Sequence, residues 1–186
     1  ELYIPFVLAS TLILIIPGPT IILVITQAIS HGRWSVVPLA AGVLLGDFTA
    51  ITLSFLGLGV ILSTSAVIFT IFKWMGAIYL LYLGIKLWKS KPKNNLLQYN
   101  TKKVSAGSLL KSSFIVTALN PKGIAFFVAF LPQFIDPVKP LLSQLTLLGG
   151  TFLLLAVLNA SLYAIFASQL SEHLKKEKIR KWFNRC

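Results

Sequence analysis

The sequence predicts an all-α integral membrane protein, and three observations carry that prediction. Hydrophobic residues fill 56% of the 186 positions and charged residues only 12%, against about 25% charged in a typical soluble domain. The apolar residues fall in five runs, each meeting the roughly 20 residues that a spanning helix needs. The runs are continuously apolar rather than alternating, which argues against a β-barrel.

The first run, 2–29, is interrupted by Pro17-Gly18-Pro19. The second covers 36–62 and the third 67–87. The fourth, 114–134, is interrupted at Asn120-Pro121-Lys122-Gly123, and the fifth covers 141–170. Runs one, two and five exceed the minimum, which implies tilt, breaks or extension beyond the hydrocarbon.

The net charge of +12 would point to nucleic acid in a soluble protein. Here the basic residues are confined to the segments between apolar runs, so nucleic acid is excluded as a partner and membrane topology explains them. Lysines from Lys86 to Lys111 follow run three, basic residues from Lys175 to Arg185 follow run five, and Arg33 lies between runs one and two. The opposite side carries only Lys73 and Lys139. By the positive-inside rule the expected placement is a multi-pass protein of the cytoplasmic (inner) membrane with its N-terminus outside. The single cysteine, Cys186, allows no disulfide or thiolate metal site within one chain. His31 and His173 are read as solvated residues near membrane edges, and no metal or cofactor is expected.

Breaks in runs one and four occupy corresponding positions with opposite orientation. That is the inverted-repeat plan of many transporters. The expected organisation is a first three-helix repeat over 1–88, a basic cytoplasmic linker over 89–111, and an incomplete second repeat over 112–186. The last holds two spans and a basic cytoplasmic tail. Five helices of a 3+3 plan are thus expected, with the sixth absent from this chain.

A proline inside a helix removes a donor and frees a carbonyl, which in lipid must find another partner or line a cavity. A helix restarting after Pro17-Gly18-Pro19 would expose N–H groups and a positive dipole end to an anion. The break at Asn120, Pro121 and Lys122 adds an amide and an ammonium, and two such half-helix ends would suit a carboxylate. Asp47 is the only acid within the predicted membrane interior away from the edges, and an intramembrane acid is expensive and by default functional. It could titrate, pair with Lys122 or hold a substrate's cationic group. Gly42 and Gly46 have GxxxG spacing and are read as helix-packing positions, as are Gly76 and Gly84. Whether the Gly42–Gly46 face serves an internal contact or a homodimer stays open. Tyr79, Asn159 and Tyr163 could line a pathway, although polar groups in spans usually bond another helix. Phe126, Phe127 and Phe130 are read as lipid or core contacts, and Asp136 as solvated in an outer loop.

Four stretches, "PGPTIILVITQAISHG", "AAGVLLGD", "FKWMGAIYLLYLGIKLWKS" and "ALNPKGIAFFVAFLPQFID", occur in an order and spacing that resembles the LysE/RhtB family of amino-acid exporters. The resemblance implies a six-helix inner-membrane protein that expels amino acids or their relatives, driven by the proton gradient. It maps the family's motifs to Pro17-Gly18-Pro19, Asp47 and Asn120-Pro121-Lys122.

The function expected is therefore export of an amino acid or derivative by proton antiport, with lipid, protons and the substrate as partners. A membrane scaffold or partner subunit and a metal-ion exporter are the rivals. One interior acid and a lysine make a poor hard-cation site, which wants several oxygen ligands. An enzyme is not expected, because no His/Cys/acid cluster or nucleophile–base pair is suggested.

Overall fold

The computed structural model describes residues 2–64 and 104–175, with Ile71, Trp74, Met75, Ile78, Leu81, Tyr82 and Ile85 between them; for 57–64 and 171–175 only the backbone is described. The expected packing positions Gly76 and Gly84 and the pathway residue Tyr79 lie outside the described residues.

Proline and glycine set the helix boundaries. Helix α1 is Tyr3–Ile15. It stops because Ile16 precedes Pro17, and a residue before proline is driven out of the α region; Ile16 is extended, with φ −65° and ψ 116°. Helix α2, Pro19–His31, begins with proline at its first position, where the missing N–H costs nothing. Together α1 and α2 form one span bent by 53°. Gly32 ends α2 at φ 74°, a conformation that favours glycine. A 3-10 turn over Arg33–Ser35 then leads into α3, Val36–Thr64.

Helix α4, Ala106–Ala118, starts six residues before the expected repeat boundary at 112. Its start is fixed by capping rather than by hydropathy: Ser108 N donates to Ser105 Oγ at 3.2 Å. The break follows at Leu119 and Asn120, and α5, Pro121–Ala125, restarts the span. That span finishes as a π turn over Phe126–Phe130 and a 3-10 turn over Leu131–Phe134. Pro132 accounts for the irregularity, since it cannot donate to a regular helical ladder. Helix α6, Leu141–Lys175, is the longest among the described residues. Among the described residues three helices are long and apolar enough to cross a membrane, or four if the bent pair counts as one span.

Side-chain contacts give the directions. Helices α3 and α4 run parallel, because a Cβ on Gly42 would overlap Ser113 and Leu110 while one on Gly46 would meet Thr117 and Phe114. Helices α1 and α6 are also parallel: Tyr3 bonds Thr151 at the start, and Ile15 bonds Tyr163 at the end. One end of the bundle, called upper here, carries the 135–140 loop; the lower end carries the 32–35 turn. The upper core holds Phe6, Phe126, Phe127, Leu131 and Phe152. The lower core holds Val24, Ala28, Leu39, Ala160 and Ala164. Small residues every fourth position on α6, at Ala156, Ala160 and Ala164, are buried, and such spacing lets helices approach closely.

Candidate functional site

Between the two apolar cores lies a polar layer, and both helix breaks are in it. A cavity of about 40 Å³ opens there, lined by Gly18, Thr20, Asp47, Thr117, Asn120, Lys122 and Asn159 together with apolar walls that include Val43, Phe126 and Phe152. A water molecule needs roughly 10–15 Å³ on this measure, so the space admits a few waters and no more.

The C-terminal end of α1 leaves four carbonyls without helical partners, as any helix does. Side chains from the other half of the chain satisfy all four. Lys122 Nζ donates to Ile13 O and to Ile16 O, each at 2.8 Å. Asn159 Nδ2 donates to Leu14 O at 3.0 Å, and Tyr163 Oη to Ile15 O at 2.9 Å. A cation at a helix C-terminus is also favoured by the dipole. The Lys122 stem passes against Gly18, where a Cβ would stand 3.4 Å from both Cε and Nζ.

The two breaks then differ. Asn120 caps α5 itself, accepting from Lys122 N at 3.1 Å, and α5 is a single turn. Helix α2 has 13 residues and no side-chain cap at Gly18. The sequence suggested two equivalent half-helix N-termini; the geometry offers one, on α2, while the Asn120–Lys122 break contributes side chains. Lys122 directs its ammonium to α1 carbonyls.

Thr20 and Thr117, which nothing in the sequence pattern alone singles out, join the breaks. Thr20 Oγ1 accepts from Asn120 Nδ2 at 3.1 Å and from Thr117 Oγ1 at 3.3 Å. Its own hydroxyl proton meets no acceptor among the described residues, and the side chain lines the cavity. Their positions gain meaning beside that geometry: Thr20 directly follows Pro19, and Thr117 lies one turn before Asn120 on the same face.

Asp47 is 8% exposed and also lines the cavity. Its carboxylate takes no hydrogen bond among the described residues, and it makes no direct ion pair with Lys122, although the two interact electrostatically. Its Oδ1 lies beside Gly123, 4.0 Å from where a Cβ would stand, at ordinary contact distance.

Gly42 and Gly46 pack inside one chain. The Gly46 Cβ position is 2.6 Å from Thr117 Cβ and 2.9 Å from the Phe114 carbonyl, so this face is filled by α4 and not open to a second copy. His31, read as solvated, is half-buried, with Nδ1 at 3.0 Å from Gln27 O and Nε2 buried. Asp136 is at the surface as read, paired with Lys139 at 3.4 Å. No group of three or more His, Cys, Asp or Glu able to hold a metal occurs among the described residues.

A broken span and a second interrupted span thus share a cavity with a buried acid. The family model for LysE type translocators matches residues 11–186. The chain belongs to the LysE-type translocator family. It is 35% identical over 186 residues to a homoserine/homoserine lactone efflux protein of Salmonella typhimurium, covering all of this chain and 90% of that one. It is 34% identical over 134 residues to a leucine efflux protein of Klebsiella pneumoniae, covering 72% of this chain and 63% of the other. An uncharacterized membrane protein of Vibrio cholerae is 28% identical with 100% and 90% coverage. No solved structure matches the chain. Membership in the LysE-type family makes this an all-α integral membrane translocator, in keeping with its apolar helices.

Proposed function

We propose that this translocator exports a small amino acid or amino-acid derivative across the cytoplasmic membrane, bound as a zwitterion in the cavity between the breaks. Asp47 takes the substrate ammonium. The uncapped N-terminus of α2 and the Thr20 hydroxyl take the carboxylate. The observation that carries this reading is the buried, unbonded Asp47 carboxylate sharing one cavity with an open helix N-terminus. The two supply opposite complements in the lining of one cavity, as a zwitterion requires.

Asp47 is also the proposed proton carrier, so that proton entry drives substrate exit by antiport. Pro17, Pro19 and Pro121 serve by creating the breaks, and Asn120 by fixing Thr20. The N-terminus is proposed to lie outside, with residues 1–88 and 112–186 as the inverted repeats and 89–111 as the cytoplasmic linker. The efflux proteins named above make homoserine and leucine, both zwitterions, the first substrates to try. The test is export of labelled homoserine or leucine from proteoliposomes under an imposed pH gradient. The gradient speeds wild-type export and leaves Asp47→Asn unaffected; a full gradient response in Asp47→Asn rejects the proton role.

A further inference from the structure

The Phe126 wall of the cavity belongs to a cluster of aromatic rings that extends through Phe6 to Phe134. Above the cavity lies a larger cleft of about 530 Å³, lined by Leu2, Tyr3, Phe134, Asp136, Lys139 and Leu147 among others. Phe134 is a wall of this cleft, and Phe126 is a wall of the cavity. Phe6 joins them: its ring is 5.4 Å from Phe134, edge-on, and 6.3 Å from Phe126. Phe6 is 0% exposed and lines neither space, so its ring is packed between a wall residue of each.

The backbone under these rings is the least regular of the described spans. Phe126 opens the π turn and Phe134 ends the 3-10 turn. A π turn carries one extra residue per turn and is frequent at functional sites; returning it to α geometry shifts everything beyond by one residue. Such a shift would carry Phe134 relative to Phe126 while Lys122 stays tied to α1. Aromatic pairs of this kind contribute only about 0.5–1.5 kcal/mol each beyond burial, small enough to break and remake in a working cycle. A cavity that admits only a few waters must widen for any amino acid, and the rings of Phe6 and Phe130 both bridge its Phe126 wall to the Phe134 wall of the cleft, Phe6 being the one that reaches them from α1.

We infer that Phe6, held between Phe126 and Phe134, is the gate that separates the central cavity from the upper cleft, and that its displacement opens the exit. This rests on the cavity lying on the transport route. It makes Phe6 a gating residue, one that closes the path without holding substrate.

The test is thiol accessibility in a Cys186→Ser background, which removes the native cysteine. Ala156→Cys places a thiol in the cavity wall, and Leu147→Cys places one in the cleft. Membrane vesicles of both orientations are treated with a membrane-impermeant methanethiosulfonate. On the face where position 147 reacts, position 156 is expected to react at least tenfold more slowly. Adding Phe6→Ala removes that difference, whereas Phe6→Trp preserves it. Should Phe6→Ala fail to reach the membrane, Phe134→Ala is expected to raise labelling at position 156 on the same face. Unchanged protection of position 156 in membrane-inserted Phe6→Ala, or equal labelling of both positions without it, overturns the gate. Labelling needs no transport, so a gate result stands apart from the export assay of the zwitterion site.

Discussion

Asn120 donates its side-chain amide to Thr20 Oγ1 at 3.1 Å, joining the residue after one proline break to the residue before the other. The bond links positions one hundred residues apart and fixes the hydroxyl at the mouth of α2. Thr20→Val keeps the shape but removes the acceptor, leaving the Asn120 and Thr117 donors unpaired. A buried unpaired polar group costs about 1–3 kcal/mol. Export is expected to fall at least tenfold, with Thr20→Ser retaining most of it; comparing export rates at equal membrane protein levels checks this.

The end of α1 gives a graded series. Asn159→Leu strips the partner from Leu14 O, and Lys122→Met strips those of both Ile13 O and Ile16 O. Interhelical bonds in membranes are worth about 0.6–2 kcal/mol. Lys122→Met should therefore lower the thermal midpoint in detergent more than Asn159→Leu, and Tyr163→Phe no more than Asn159→Leu. Equal midpoints for all three would mean that the α1 carbonyls find other donors.

Gly46→Ala sets a methyl 2.9 Å from the Phe114 carbonyl and 3.0 Å from Ala118 N, both backbone atoms that cannot swing aside. The α3–α4 pair must then part, at about 1–3 kcal/mol for overpacking. Gly150→Ala meets nothing within 4 Å and should be neutral or gain up to about 1 kcal/mol of helix propensity. Unfolding of the two variants side by side reads the difference.

Asp136 gives a pH signature in the 135–140 loop. The Val138 N–H that its Oδ1 accepts at 3.0 Å, together with Lys139, holds its pKa below the ordinary 3.8 against some desolvation. A depressed carboxyl contributes stability that is present above the unfolded pKa and lost as pH falls through the folded one. Wild type should exceed Asp136→Asn in thermal midpoint at pH 7, with the gap closing as pH falls below the ordinary carboxylate range of about 3.9. A gap that is constant with pH would show that the charge is not what matters.

The breaks were legible because their prolines lie deep in their apolar runs, where proline interrupts a helix, whereas Pro5 and Pro38 sit in the first turn of α1 and α3 and break nothing. Pro17, Pro19 and Pro121 marked them without reference to the rest of the chain. Asp47 and Asn159 stood out by polarity alone. Thr20 and Thr117 did not, because hydroxyls in apolar helices commonly bond their own backbone, as Thr11 and Thr52 do here. Only tertiary placement separates those cases. The start of α4 was hidden because Ser105 sets it while the following turns remain mixed in polarity. Where Lys122 directs its ammonium was equally hidden: a lysine beside a break can face a ligand or a helix end, and sequence spacing does not choose.

The most direct test of a zwitterion held between the breaks is competition in proteoliposome counterflow, with no pH gradient. Labelled substrate is competed by analogues that lack either the amine charge or the carboxylate. In wild type neither analogue should compete, because the roles proposed for Asp47 and the α2 N-terminus each require their complement. In Asp47→Asn the N-acetylated analogue should compete as well as the parent amino acid. Equal competition by both analogues in wild type, or unchanged selectivity in Asp47→Asn, would contradict the account.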